Sequence, residues 1–278
     1  MIFSPMQTTG AIGKKFRLIL TVHDLIYYSY RKPPKQMVLL VRTIWRLYHL
    51  NYQPQRWLLR SADAVVTVSQ TTADLLKTHR LTSATVSVIP NAVEEAFKKP
   101  ISNAAKSTGK IRLVYMGTFM PYKDVETLVR ASALIDRAEL HLVSSIDAAR
   151  QAQLASLAAL TGAQVIFHNG LTDEDYIALL DSADLVVSAS KAEGFGIPVI
   201  EGFARAVPAV LTDVPVFREV GAAGARFFNA GDPNSCAEAV VDALQDRQSL
   251  SASAVRRASE FSWAKSAQDL VKVIESLS

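Results

Sequence analysis

Acidic side chains are absent between Asp24 and Asp63, the chain has a single cysteine, and no apolar run approaches the length of a membrane span. With only Cys236, no intrachain disulfide can form; it lies in a helical pattern without metal-ligand neighbours, which suits a reducing cytoplasm. The longest apolar runs, such as Met37 to Val41, fall far short of the ~20 residues that cross a bilayer. Met1 to Lys15 also lacks the basic-then-apolar order of a signal peptide. The expected location is cytoplasmic, at most peripheral at the inner membrane face. A Gly-x-Gly-x-x-Gly run after a first strand is missing too: the loop after Val114 holds only Gly117, which argues against a nicotinamide site.

What is present is a globular composition. The 278 residues are 49% hydrophobic and 20% charged, enough for one large domain or two ordinary ones. The net charge of +4 is concentrated in the acid-free stretch, which carries Arg31, Lys32, Lys35, Arg42, Arg46, Arg56 and Arg60 with Trp45, Tyr48, Tyr52 and Trp57 interleaved. Residues 31–60 could therefore meet anionic headgroups at a membrane surface. The plainer expectation is a solvated helix face, because Val38, Val41, Ile44, Trp45 and Tyr48 recur at helical spacing and would serve as core. No nucleic-acid motif accompanies the charge, and no nucleic-acid partner is expected.

After residue 110, short turn-bounded apolar runs at 111–117, 140–144, 164–167, 185–188 and 209–212 read as buried parallel strands. Helical patterns at 125–135, 148–160, 173–180, 197–204 and 235–244 alternate with them, predicting an α/β doubly wound sheet whose ligands sit at the strands' carboxyl ends. The first hundred residues repeat the pattern more briefly, with strands at 16–22, 64–68 and 86–89. Ile2-Phe3-Ser4-Pro5 reads as the end of a buried strand with nothing before it, leaving this unit three strands. The expected organisation is the remainder of an amino-terminal α/β domain at 1–97, a polar linker at 98–110, and a second, complete α/β domain at 111–261. A helix at 262–278 would then cross back towards the first domain.

The segment richest in chemistry is Ser190 to Glu201, Ser-Lys-Ala-Glu-Gly-Phe-Gly-Ile-Pro-Val-Ile-Glu, between a strand and a helix. Gly194 and Gly196 leave the backbone bare, Pro198 suits a first helical turn, and free amides there form an anion site. Glu193 and Glu201 flank that turn and can accept hydrogen bonds from ligand hydroxyls. By contrast, Asp173-Glu174-Asp175 reads as an acidic first turn capped by Thr172, not a metal site.

This Glu-x7-Glu frame around Gly-Phe-Gly resembles the retaining family-4 glycosyltransferases of the GT-B fold. The resemblance extends over roughly residues 16–265 and implies a complete carboxyl-terminal Rossmann-like domain behind a truncated amino-terminal one. It implies that Glu193 contacts the donor sugar, that Gly194, Phe195, Gly196 and Ile197 lie near sugar and diphosphate, and that Glu201 binds the ribose. Tyr115-Met116-Gly117-Thr118 with Lys123-Asp124 is similar to the family's first strand and phosphate loop, giving Lys123 to the diphosphate. Many members have Arg where this chain has Thr118. His168-Asn169-Gly170-Leu171 resembles the turn that reads the base, so that Gly117, Thr118, Gly170 and Leu171 complete the donor site. His23-Asp24 resembles the acceptor-side His, although a His ending a strand is as readily a local hydrogen-bonding residue.

The implied activity is transfer of a mannose- or glucose-type hexose, from GDP-mannose or UDP-glucose, to a glycan, lipid-linked or small-molecule acceptor in polysaccharide biosynthesis. Neither metal nor cofactor is expected. Glu193, His23 and Lys123 are the expected catalytic residues. The alternative is a non-catalytic nucleotide-sugar-binding fragment, or one half of a split enzyme completed by a polypeptide that supplies the absent strands.

Overall fold

A computed structural model describes residues 1–9, 13–31, 33, 37–98 and 109–277. Most of the expected linker, residues 99–108, lies outside the described residues, as do Lys32 and Lys35. The chain forms two units: residues 1–91 with 193–195 and 263–278, and residues 92–192 with 196–262.

In the first unit, β1 (Ile2–Ser4), β2 (Leu18–Val22), β3 (Ala64–Thr67) and β4 (Thr85–Val88) form a parallel sheet in chain order. The sheet therefore has four described strands, not three. Ile2 and Phe3 of β1 are exposed; only Ser4 of that strand is buried. The β2 to β3 connection carries α1 (Ile26–Ser29), α2 (Leu39–Tyr48) and α3 (Gln53–Leu59), and α4 (Gln70–Thr78) follows β3. Ser69 caps α4 by accepting from the Thr72 amide at 3.2 Å, satisfying one of the open donors of the first turn. One sheet face packs Leu18, Leu20, Val22 and Val65 against Leu59 and Leu76. The other packs Ile19, Ala64 and Val66 against Leu270, Val273 and Ile274 of the final helix, Trp263–Glu275, whose Ser266 hydroxyl donates to the Pro90 carbonyl at 2.8 Å. The core positions expected in α2 prove otherwise: Val38, Val41 and Ile44 are exposed, while Trp45 and Tyr48 turn inward.

The second unit holds β5 (Ile111–Tyr115), β6 (Ala138–Leu142), β7 (Gln164–Phe167), β8 (Leu185–Ser188), β9 (Ala209–Thr212) and β10 (Ala225–Phe228). All pairs are parallel and the order is β10-β9-β8-β5-β6-β7. The intervening helices are α5 (Val125–Ser132), α6 (Ala148–Thr161), α7 (Asp173–Asp181), α8 (Ile197–Ala204), α9 (Pro215–Gly221), α10 (Pro233–Gln245) and α11 (Arg247–Ser259). Thr172 caps α7 by accepting from the Asp175 amide, as the sequence expects. Three elements escape the sequence reading. The edge strand β10 contains Arg226, drawn outward by Asp242 and Asp246, which interrupts the apolar run. α9 is short, and α11 buries only Leu250, Ala254 and Ala258, too little apolar side chain for a strong periodic signal.

Leu113, Tyr115, Leu140, Leu142, Leu185 and Val187 pack beneath α5 and α10, where Cys236 is sealed and burial pushes its thiol up to about 12. On the opposite face α8 lies almost on β8. A Cβ on Gly202 would come within 2.4 Å of the Val186 Cγ2, so the bare glycine sets the helix-to-sheet distance. The end of α8 is fixed by a buried ion pair: Arg205 donates through Nε and Nη2 to the two Asp181 carboxylate oxygens at 2.6 and 2.7 Å, and through Nη1 to the Phe97 carbonyl at 3.1 Å. Removing one partner strands the other charge out of water. Asp181→Ala and Arg205→Leu are each expected to lower stability by about 3–5 kcal/mol in chemical denaturation, and the double variant by less than the sum of the two.

Candidate functional site

Strand order reverses between β5 and β8, whose ladder covers only Leu113 with Leu185 and Val114 with Val186. Their following segments leave the sheet on either side of a crevice, where open α/β sheets take their ligands. After β5, the chain turns at Gly117, whose amide donates to the Ser144 hydroxyl at 3.1 Å. A Cβ there would lie 2.9 Å from the Tyr115 hydroxyl, which donates to the Thr118 carbonyl at 2.6 Å and folds the loop back on its own strand. A tight turn, Pro121–Lys123, then carries Lys123, with its ammonium 5.4 Å from the Tyr122 ring centroid.

The segment after β8 is tied to that turn. The Lys191 amide donates to the Tyr122 carbonyl at 2.8 Å, and the Lys191 ammonium pairs with the Asp124 carboxylate at 3.0 Å. Asp124 adopts a left-handed backbone, φ 48° and ψ 43°, where it heads α5 and accepts from the Thr127 hydroxyl at 2.9 Å. Lys123 is thus carried on a turn pinned from both sides. Sequence reasoning missed Lys191 and Asp124 as its supports; the only available signal was their place beside the two motifs.

Gly196, with φ 102°, precedes α8, and no side chain caps that helix. A Cβ on Gly196 would also press on the Phe217 ring at 3.1 Å. Ile197 is partly exposed at the first turn, Pro198 follows it, and Glu201 lies in the second turn. Burial raises the Glu201 carboxyl to about 7; the Tyr176 hydroxyl pulls the other way, and Glu94 and Asp173 add to the rise. Tyr176 is itself almost wholly buried in α7 against Phe97, and its hydroxyl has no well-aligned partner among the described residues. An aromatic at that helical position reads as core, with no local signal to single it out. Gly170 and Leu171 follow β7 at the same edge of the sheet. The turn at Asn169 and Gly170, with φ 56° and 98°, is held by the Gly170 amide on the Val143 carbonyl and by the Asn169 side chain on the Ile146 amide. Beside it, His168 stacks on His141, which burial pushes down to about 4.

The first unit contains the other expected residues. His23 follows β2, and its Nε2 lies 2.8 Å from the Pro5 carbonyl oxygen. Glu193, Gly194 and Phe195 belong to this unit, and Gly194 runs against His23: a Cβ would come within 2.5 Å of the His23 carbonyl oxygen and 3.1 Å of the Asp24 Cβ. Phe195 is buried. At the carboxyl ends of the same strands is a cavity of about 450 Å³, lined by Thr21, His23, Val68, Asn91, Trp263 and Leu270 among others. The Thr21 hydroxyl is buried there without a partner among the described residues.

Two Rossmann-like parallel-sheet units, one with its strand order reversed at a glycine-bounded crevice, define a fold of GT-B type. The chain belongs to the family described as glycosyl transferases group 1, which matches residues 97–261, while residues 3–97 match glycosyltransferase family 4. It is 28% identical over 228 residues to the serotype-specific mannosyltransferase WbdA of Escherichia coli, covering 74% of this chain and 28% of that protein. To the MMP alpha-(1->4)-mannosyltransferase of Mycolicibacterium hassiacum it is 27% identical over 274 residues, 94% of this chain and 65% of that one. Among solved structures, sucrose-phosphate synthase from Thermosynechococcus elongatus superposes with a TM-score of 0.79 at 22% identity, over 96% of this chain and 69% of that one. The chain thus spans between about a quarter and two thirds of the length of these two curated relatives.

The raised Glu201 carboxyl makes stability depend on pH. Glu201 has a folded pKa near 7 against 4.5 for the free side chain, so the folded state holds the proton more tightly. Its contribution to stability is full below about 4.5 and is lost as pH rises through about 7. Glu201→Gln is expected to remove that part of the pH dependence, read as the difference between the two proteins' denaturation midpoints from pH 4 to 8. Tyr176→Phe should move the Glu201 titration upward.

Proposed function

We propose that this chain binds a nucleoside-diphosphate hexose and transfers the sugar with retention to a glycan, lipid-linked or small-molecule acceptor, without a metal ion. The observation that carries this reading is the join between β8 and α8: a bare glycine turn leads into an uncapped helix at the point of strand reversal, with the partly buried Glu201 in its second turn. Open amides at that helix start suit a diphosphate, and Lys123 on its pinned turn supplies a cation for the charge that grows as the leaving group departs. Glu201 accepts the ribose hydroxyls, a role that fits a carboxylate held among Tyr176, Glu94 and Asp173. Glu193 holds the sugar, and Gly170 and Leu171 frame the base.

The relatives named mannosyltransferases favour mannose, hence GDP-mannose, over UDP-glucose as the donor. His23 and the adjoining cavity, with the unpartnered Thr21 hydroxyl and the half-exposed Trp263, suit an acceptor that has one polar edge and one apolar face. The domain roles follow: an acceptor-side unit at 1–97 and a donor unit at 111–261.

The two glutamates separate the assignments. Titration calorimetry with GDP, GDP-mannose, UDP and UDP-glucose, in EDTA and in magnesium, is expected to show metal-independent binding. Glu201→Ala should weaken nucleotide and nucleotide sugar alike by about 1–3 kcal/mol, whereas Glu193→Ala should weaken only the sugar-bearing ligand. Binding that requires magnesium, or equal losses for both ligands in both variants, would overturn the assignment.

A further inference from the structure

Helix α2 is held to its unit by one side only. Trp45 meets the Tyr27 ring edge-on at 5.0 Å and the His49 ring at 4.1 Å, and the Tyr48 hydroxyl donates to the Gln55 side chain at 3.0 Å. The next sector of the helix faces away: Leu40, Ile44 and Leu47, spaced to form one stripe, are 71%, 58% and 60% exposed. No residue of α2 is fully buried. Further along the same acid-free segment, Leu50 and Trp57 are also more than half exposed. A run of large apolar side chains in water is costly unless something covers it.

The surrounding charge identifies what covers it. Arg42 and Arg46 lie on the flank of α2 away from the stripe, and Arg31, Arg56 and Arg60 belong to the same segment. None of these five arginines pairs with a carboxylate among the described residues, and from 25 to 62 the sequence has no acid to offer. Two copies of this surface would repel each other. A bilayer rich in anionic headgroups matches both halves of the pattern, taking the apolar stripe below the headgroups and the exposed Arg31, Arg46 and Arg60 guanidinium groups among them. No described helix is long and apolar enough to cross a membrane, which leaves binding in the plane of the surface as the available mode.

We infer that α2 is a membrane-docking helix that seats this chain on an anionic lipid surface through Leu40, Ile44 and Leu47. The test is sedimentation of the 278-residue chain with vesicles of phosphatidylcholine containing about 30% phosphatidylglycerol, against phosphatidylcholine alone. Wild type is expected to partition at least about tenfold more strongly onto the anionic vesicles, and to lose most of that preference in about 0.5 M NaCl, where screening shortens to a few ångströms. The combined substitution Leu40→Ser, Ile44→Ser and Leu47→Ser should reduce partitioning at least about tenfold while leaving the melting temperature unchanged, because these side chains are already in water. Arg46→Glu with Arg60→Glu should abolish the anionic preference by a separate route. Equal partitioning of wild type and the apolar triple variant would overturn the inference, as would equal binding to both vesicle types. A dimer in sedimentation equilibrium that the triple variant dissolves would overturn it in favour of a second copy.

Discussion

The short hydrogen-bonded ladder between β5 and β8 governs the second unit, because successive strands are laid down in opposite directions from that pair. Every later element inherits this reversal. The turn carrying Lys123 leaves from one side, and the glycine turn leading to α8 leaves from the other. Two side-chain details keep the opening in shape. Gly202 lets α8 approach Val186 closely enough to fix the helix start, and Lys191 ties the two departing segments through one backbone bond and one ion pair. Neither detail contacts a ligand in the proposed mechanism, yet both position groups that do.

Electrostatics in this unit run between two extremes. Asp181 and Arg205 are buried as a matched pair with bidentate geometry, so their charges are mutually satisfied. Glu201 is partly buried with no ion-pair partner among the described residues, beside a tyrosine hydroxyl and two further carboxylates, and is correspondingly hard to ionise. Hydrogen-bond donors brought to such a carboxyl would favour its charged form. The first unit has a similar feature: the Thr21 hydroxyl, buried without a partner among the described residues, lies in a largely apolar cavity beside His23.

Much of the α/β grammar was legible in the residues themselves. The strands at 164–167, 185–188 and 209–212, and α8 at 197–204, stand at the bounds their apolar runs and flanking breakers suggest. The glycine and proline placement also identified the turn that opens α8, because bare backbone before a proline-started helix is a local requirement written in local residue types. The reading failed where the signal was not local. β10 was hidden by Arg226, whose charge is tolerated only because Asp242 and Asp246 come to meet it, and α11 was hidden by alanines that need neighbours to count as core.

Periodicity also determined that α2 would be amphipathic, but not which sector would be covered. Val41 and Ile44 have the same helical spacing as true core positions, and only the packing of Tyr27, His49 and Gln55 decides that Trp45 and Tyr48 face inward while Leu40, Ile44 and Leu47 face solvent. By itself, then, the sequence determined the alternation of strands and helices, the glycine turn and the residue types proposed to meet a nucleotide sugar, since these depend on neighbours along the chain. Tertiary structure alone decided the strand reversal, the support of Lys123 by Lys191 and Asp124, the raised Glu201 carboxyl and the exposed stripe of α2. Each of those depends on groups far apart in sequence whose separation in space no local pattern encodes.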